Sequence, residues 1–209
     1  MTGRWWLAVC VMHAVASMLV WWQGEPLASW LTWRADHWMT HPWTLWTSAW
    51  VHRSTPHLIG NQMAIGALAA VAWAFRPGGR AVLAWILAWP LVPLAQAWWP
   101  LVGYYVGLSG LIHAAVAVLV VDWMWHAPRG SMAWRWGGLL GAGLVAKLLV
   151  EQGWSKPVVW NEGLGMSVVH SAHLVGGLAG AGCAAILNQD WLSRSVRRRS
   201  RLGASSVSE

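Results

Sequence analysis

The chain has 209 residues, of which 57% are hydrophobic and only 10% are charged. This composition excludes an ordinary water-soluble domain of this length and is typical of a protein that crosses a membrane several times. The formal net charge of +7 does not indicate nucleic-acid binding, because the basic residues form short clusters at the ends of apolar segments and not one continuous stripe.

Six segments are apolar and long enough, at roughly 20 residues each, to cross a bilayer as helices. We therefore predict an all-α membrane protein, with a bundle of six transmembrane helices in residues 1–191 and a basic, flexible tail in residues 192–209. The first segment could instead be a cleaved signal peptide, but the five spans that follow favour a retained helix. The predicted spans are residues 5–23, 56–75, 81–100, 105–125, 134–152 and 167–187.

The first long connection, residues 24–55, is too long for a simple turn. We call it the tryptophan-rich segment, because its composition is unlike that of a flexible linker. A long connection of this kind is usually functional or embedded in the membrane surface. Its tryptophans are Trp30, Trp33, Trp38, Trp43, Trp46 and Trp50.

The distribution of lysine and arginine predicts the orientation of the chain. With the N-terminus inside, ten of the fourteen basic residues lie in inner segments, as the positive-inside rule requires. Both termini are then cytoplasmic, and the basic tail can contact anionic lipid. Lys147 lies within the fifth predicted span, one helical turn before Glu151. We expect an ion pair between them, with a structural role.

Polar and ionisable side chains inside a membrane are costly, so each one is a functional hypothesis. At about 1.5 Å of rise per residue, those near the outer ends of the second, fourth and sixth spans fall at one depth. Polar side chains from three helices are therefore expected in one layer near the outer membrane surface. The residues concerned are His57 and Asn61, Ser109 and His113, and His170 and His173.

Small residues predict that the fourth and sixth spans pack closely. The sixth span contains a G-x-x-x-G pattern at Gly176 and Gly180, which allows helix backbones to approach each other. Such packing would bring Ser109 and His173 within hydrogen-bond distance. A hydroxyl beside an imidazole is the arrangement of a nucleophile and its general base.

Three motifs carry a resemblance to a known family. The segments "HRSTPHLIGN" (residues 52–61), "GLSG" (107–110) and "AHLVGGLAG" (172–180) resemble the signatures of the rhomboid intramembrane serine proteases, in the same order and on the same spans. The resemblance covers nearly the whole chain and implies a six-helix rhomboid-like bundle. It also implies that Ser109 is the nucleophile and His173 the general base. His57 and Asn61 would be oxyanion-hole donors, and His52 a supporting histidine.

Two positions depart from the usual rhomboid pattern. Thr44 follows Trp43 where the family usually has arginine, and His113 stands where the family commonly has tyrosine beside the catalytic histidine. The segment "GLSGLIHA" resembles the rhombosortase subfamily most. That resemblance implies a protease of the bacterial inner membrane whose active site opens to the periplasm. Its partners would be transmembrane or tail-anchored protein substrates, in particular proteins with a C-terminal Gly-Gly tail anchor.

The predicted mechanism uses a dyad. No carboxylate lies in the polar layer on the fourth or sixth span, so we expect the His173 ring to be held by packing against His113 and not by an acidic residue. The backbone N–H of Ser109 would be a further oxyanion donor. We expect no cofactor, no metal ion and no nucleic-acid partner. The tryptophan-rich segment or the loop before the sixth span could control access of the substrate.

Other interpretations remain open on the sequence alone. A general rhomboid protease would act on other transmembrane substrates, and a rhomboid-like protein without catalysis would bind membrane clients. A b-type haem electron carrier would use histidines in several spans as axial ligands, but it does not explain a serine between glycines. The histidines available to it are His13, His57, His113 and His173.

Overall fold

The computed structural model describes the backbone of residues 3–205 and the side chains of residues 3–71 and 73–189. The described backbone forms eight α-helices. They are α1 (Arg4–Gln23), α2 (Glu25–Leu31), α3 (Thr44–Thr47), α4 (Thr55–Phe75), α5 (Gly79–Ala95), α6 (Ser109–His126), α7 (Met132–Glu151) and α8 (His170–Ser205). Single 3₁₀ turns follow α3 and α5, at Ser48–Trp50 and Gln96–Trp98.

Five helical segments in the described part of the chain are long and apolar enough to cross a membrane. They are α1, α4, α5 with its following turn, α6, and the first twenty residues of α8. This architecture agrees with the predicted membrane protein made mainly of helices. Helix α7 also has 20 residues, but Arg135 and Lys147 lower its mean hydropathy, so a sixth span stays a prediction.

Two small antiparallel sheets in the connections were not predicted. Strand β1 (Trp33–Arg34) pairs with β2 (Tyr104–Tyr105), and β3 (Val158–Asn161) pairs with β4 (Met166–Val169). The predicted boundaries change accordingly. Residues that we assigned to the start of the fourth span belong to β2 and a turn, and residues 167–169 belong to β4 and not to the sixth span. The short strands pair backbone N–H and C=O groups of these connections with each other.

Helix α6 is the centre of the core. Leu108, just before it, and Leu111, Ala114 and Val118 are fully buried. Helix α8 packs directly on α6, because Gly176 and Gly180 place their α-carbons against the backbones of Gly110 and Ala114. Any side chain at either glycine would overlap those backbone atoms. The close packing predicted from the G-x-x-x-G pattern is therefore confirmed.

The tryptophan-rich segment, predicted to be ordered, is ordered by hydrogen bonds. The Trp43 indole N–H donates to the carbonyl of Trp30 (3.2 Å), and the Trp89 indole N–H of α5 donates to the carbonyl of Trp46 (2.9 Å). Thr44, which replaces the usual rhomboid arginine, is buried and donates to the carbonyl of His41 (2.7 Å). The threonine hydroxyl is thus used within the tryptophan-rich segment itself.

The C-terminal prediction concerns residues that are described only in part. Helix α8 ends at Ser205, within the predicted tail of residues 192–209. Side chains after Gln189, and residues 206–209 altogether, lie outside the described part of the chain. The division between a membrane domain and a basic tail stays a prediction.

Candidate active site

Ser109 is the first residue of α6, and the preceding turn presents it. Gly107 has a φ of 101°, and a Cβ there would lie 2.6 Å from the Cε1 and Nε2 atoms of His57. Glycine is therefore required both by the backbone conformation and by the neighbouring ring. The Gly107 N–H donates to the carbonyl of Ser48 (2.9 Å), and β2 pairs with β1. The tryptophan-rich segment thus holds the turn that carries Ser109.

His173 meets Ser109 across the α6–α8 interface. The distance from Ser109 Oγ to His173 Nε2 is 2.9 Å, and His173 is only 4% exposed. The contact predicted from the sequence is present. It depends on the close approach of the two helix backbones, because the residues lie on facing sides of α6 and α8.

Glu151, the last residue of α7, contacts the other side of the His173 ring. The distance from Glu151 Oε2 to His173 Nδ1 is 2.8 Å. A carboxylate can only accept a hydrogen bond, so Nδ1 carries the proton and Nε2 is left to accept from the Ser109 hydroxyl. Serine, histidine and glutamate therefore form one line of hydrogen bonds, and the predicted dyad is corrected to a triad in geometry.

Glu151 was not predicted as a partner of His173, because it lies on neither of the two spans that carry Ser109 and His173. The expected Lys147–Glu151 pair is present, with Lys147 Nζ 2.6 Å from Glu151 Oε1. The assignment of Glu151 to structure alone is incomplete, since its second oxygen binds His173. The available signal was its depth: the end of the fifth predicted span lies in the same outer layer as the start of the sixth.

His113 stacks on one face of the His173 ring. The two imidazole rings are parallel within 10°, with centroids 4.3 Å apart. The His113 Nδ1–H donates to the carbonyl of Ser109 (2.7 Å), one helical turn earlier. The expected packing of His113 against His173 is therefore present, and a supporting role for His113 stays a prediction.

Asn61 and His57 of α4 lie next to Ser109, on the wall of the same cavity. His52 Nδ1–H donates to the carbonyl of Trp50 (3.1 Å), so His52 Nε2 accepts from the Asn61 side-chain amide at 3.0 Å. Burial lowers the pKa of the His52 ring to about 4, which keeps the ring neutral and able to accept. One amide hydrogen of Asn61 is thereby held by His52, and the other is free to donate elsewhere.

A cavity of about 140 Å³ joins these groups. Ser109, His173, His57 and Asn61 all line it, and the β3–β4 hairpin forms the facing wall through residues 164 and 166–169. A second, mostly apolar groove of about 520 Å³ runs between α4, α6 and α7. Ser109 and Asn61 line that groove as well, so the serine can be reached both from the hairpin side and from between the helices.

The histidines and Glu151 of this site do not form a metal or haem site. His113, Glu151 and His173 each place a ligand atom within 4.8 Å of the others. However, the lone pairs of two parallel stacked imidazoles lie in separate planes and do not converge on one ion. The Glu151 carboxylate is already paired with the Lys147 ammonium. A macrocycle does not fit between rings 4.3 Å apart, and His13 is packed edge-on against Trp89 at 4.4 Å. The arrangement is suited to proton transfer.

Comparisons with known proteins do not identify a family: no family model matches the chain, and no curated protein matches it by sequence.

Proposed function

We propose that the protein is an intramembrane serine endopeptidase of the rhomboid type that cleaves membrane-anchored proteins. The observation that carries the proposal is the hydrogen bond between Ser109 Oγ and His173 Nε2, 2.9 Å long, in a cavity that Asn61 and His57 also line. A nucleophile, a base and polar donors in one buried cavity are the components that acyl transfer requires.

In the proposed reaction, Ser109 Oγ attacks the carbonyl carbon of the scissile peptide bond while its proton passes to His173 Nε2. The carbonyl oxygen becomes an oxyanion, which the side-chain N–H groups of Asn61 and His57 and the Ser109 backbone N–H would bind. His173 then gives its proton to the departing amine, and the acyl group stays on Ser109. A water molecule, activated by His173 in the same way, releases the second product.

The Ser109 backbone N–H is suited to this role because of its position. It is the first N–H of α6, where helix N–H groups have no partner within the helix and the helix dipole favours negative charge. An oxyanion at this point would accept a stronger hydrogen bond from the Ser109 N–H than the substrate carbonyl does before the attack. That difference accelerates the chemical step.

For the substrate, we propose a protein with a transmembrane anchor, whose helix would lie in the apolar groove between α4 and α7. The groove contains Leu139, Leu140 and Leu144 of α7 and reaches Ser109. An extended segment next to the anchor would then enter the cavity under the β3–β4 hairpin. Within this class we propose C-terminal Gly-Gly tail anchors, with cleavage near the periplasmic face of a bacterial inner membrane.

The test is cleavage by the purified full-length protein in proteoliposomes. Two single-span reporters are compared, identical except that one carries a Gly-Gly pair before its C-terminal anchor and the other has Val-Val there. We expect cleavage of the Gly-Gly reporter by the wild-type protein and none by Ser109→Ala. Equal cleavage of both reporters would contradict specificity for Gly-Gly tail anchors and would indicate general rhomboid activity. Equal product with Ser109→Ala would contradict the proposed function.

A further inference from the structure

We infer that Glu151 is a positioning residue of the reaction, which holds His173 in its reactive tautomer and stabilises the imidazolium that forms during attack. This inference rests on the proposed function and replaces a two-residue mechanism with a Ser109–His173–Glu151 relay. It is carried by the 2.8 Å contact between Glu151 Oε2 and His173 Nδ1 and by the way in which the rest of Glu151 is fixed.

The two oxygens of Glu151 have different partners. Oε1 accepts from Lys147 Nζ at 2.6 Å, and Oε2 accepts from His173 Nδ1 at 2.8 Å. The ammonium therefore holds the carboxylate in its ionised form and leaves one oxygen directed at the imidazole. Charge-assisted hydrogen bonds of this length are the stronger class and restrict the orientation of both groups.

The backbone of Glu151 is attached to α8 as well. His170 Nδ1–H donates to the Glu151 carbonyl at 3.2 Å. Because His170 and His173 lie about one turn apart on α8, the end of α7 is fastened to the helix that carries the general base. This second link restricts where the Glu151 carboxylate lies relative to the His173 imidazole.

The proton balance of the relay is simple. The Ser109 proton moves to His173 Nε2, and His173 becomes an imidazolium with Nδ1–H still donating to Glu151. The carboxylate stays ionised throughout and receives no proton. Its negative charge lies beside the new positive charge in a site that excludes most water, where such an interaction is stronger than in bulk solvent. Lys147 balances the charge of Glu151 before the reaction.

A purely structural ion pair would behave differently. If Glu151 only joined α7 to α8 and to Lys147, removing its charge would lower thermal stability and would not selectively affect the chemical step. A positioning role predicts a fall in kcat with little change in KM, because His173 orientation matters in the transition state and not in substrate binding. The reactivity of Ser109 towards a small probe would fall in parallel.

The experiment compares Glu151→Gln, Glu151→Asp and a control, Glu162→Gln, in the full-length protein. Glu162 is an exposed glutamate in the turn between β3 and β4, so its substitution removes the same charge away from His173. For each variant, kcat and KM are measured on the Gly-Gly reporter. The rate of Ser109 labelling by a fluorophosphonate and the melting temperature are also measured.

Loss of the acidic member costs about 10⁴-fold in known serine-protease triads. Because His113 still stacks on His173, we expect Glu151→Gln to lower kcat and the labelling rate by about 10²- to 10⁴-fold. KM and the melting temperature should stay close to those of Glu162→Gln. Glu151→Asp keeps the charge on a shorter side chain, and we expect a smaller loss of kcat and labelling rate than in Glu151→Gln. The double variant Lys147→Gln with Glu151→Gln leaves no unpaired charge and should be as inactive as Glu151→Gln.

The inference is overturned if Glu151→Gln keeps kcat and labelling within about threefold of an active wild-type protein, or if its loss follows a lowered melting temperature. Failure of the proposed function gives a different result. In that case the wild-type protein itself neither labels nor cleaves, and the inference falls together with the proposed function.

Discussion

The His113 ring lies parallel to the His173 ring, with the centroids 4.3 Å apart and the planes inclined by 10°. One face of the proposed general base is therefore covered by an aromatic ring from α6. Glu151 of α7 meets the Nδ1 edge of the same ring. Side chains from two other helices thus determine the orientation of a histidine on α8.

The stacking of His113 on His173 predicts that kcat falls more when the ring at position 113 is removed than when it is replaced by another ring. Aromatic pairs contribute about 0.5–1.5 kcal/mol beyond burial, so His113→Ala should lower kcat by about 2- to 12-fold. His113→Tyr restores a flat ring and should stay within about threefold of wild type. Reporter cleavage by the two variants measures the difference. Wild-type kcat in His113→Ala would mean that the ring does not hold His173.

The glycine contact between α6 and α8 predicts that the effect of alanine substitution on stability depends strongly on which glycine of α8 is replaced. A Cβ at Gly180 would lie 2.8 Å from the carbonyl carbon of Ala114, whereas a Cβ at Gly182, on the same helix, meets nothing within 4 Å. Gly180→Ala should therefore destabilise the protein by about 1–3 kcal/mol and abolish cleavage, because the helices must separate. Gly182→Ala is the matched control and should keep or raise stability.

Melting temperatures in detergent, with reporter cleavage, check this pair. Equal melting temperatures for Gly180→Ala and Gly182→Ala would contradict the packing of α6 on α8.

The amide of Asn61 is predicted to act on the oxyanion. Loss of one preorganised donor typically costs about 10²- to 10³-fold in rate, so Asn61→Ala should lower kcat by that amount with a smaller change in KM. Gln62 is the control, since it is the next residue on α4 and its amide donates to the carbonyl of Ala14 (3.2 Å). Gln62→Ala should keep kcat. Equal losses in both variants would indicate damage to α4 and not loss of a donor.

The buried His52 predicts acid sensitivity. Its pKa is lowered by burial to about 4, from an unfolded value near 6.5. The unfolded chain therefore binds a proton that the folded protein excludes. The titration of His52 therefore leaves the free energy of unfolding unchanged above about pH 6.5. It lowers that free energy by up to about 3 kcal/mol as the pH falls towards 4.

His52→Gln removes this titration and leaves the other histidines in place. We expect the melting temperature of the wild-type protein to fall more steeply between pH 6.5 and 4 than that of His52→Gln. Parallel curves for the two proteins would mean that the His52 ring is not held neutral by burial.

Helix positions and the central contact could be predicted from the sequence for physical reasons. Apolar segments of membrane length fix where the long helices run, and the small residues at Gly176 and Gly180 fix which helices pack closely. Once α6 and α8 touch, the meeting of Ser109 and His173 follows. The prediction of helix α7 as a further span rested on length and apolar composition and stays untested, because two basic residues lower its mean hydropathy.

The depth of Glu151 in the outer layer could be derived from the sequence, but its contact with the His173 ring could not. Glu151 reaches His173 only because the chain turns back after α7 and because His170 binds its carbonyl, and neither contact follows from periodicity. The small sheets were missed for a related reason. Strands of two to four residues in connections are selected by the tertiary packing around them and carry little sequence pattern of their own.

The central claim is that Ser109 is a nucleophile activated by His173, and the most direct measurement is covalent labelling. The purified protein is treated with a fluorophosphonate, and the modified residue is located by mass spectrometry. A parallel sample carries Ser155→Ala, a serine in the turn after α7 whose hydroxyl donates to the carbonyl of Gln152. We predict modification of Ser109 in the wild type and in Ser155→Ala, and none in Ser109→Ala or His173→Ala. Labelling of His173→Ala at the wild-type rate, or no labelling of the wild type under conditions in which it is folded, would contradict the claim.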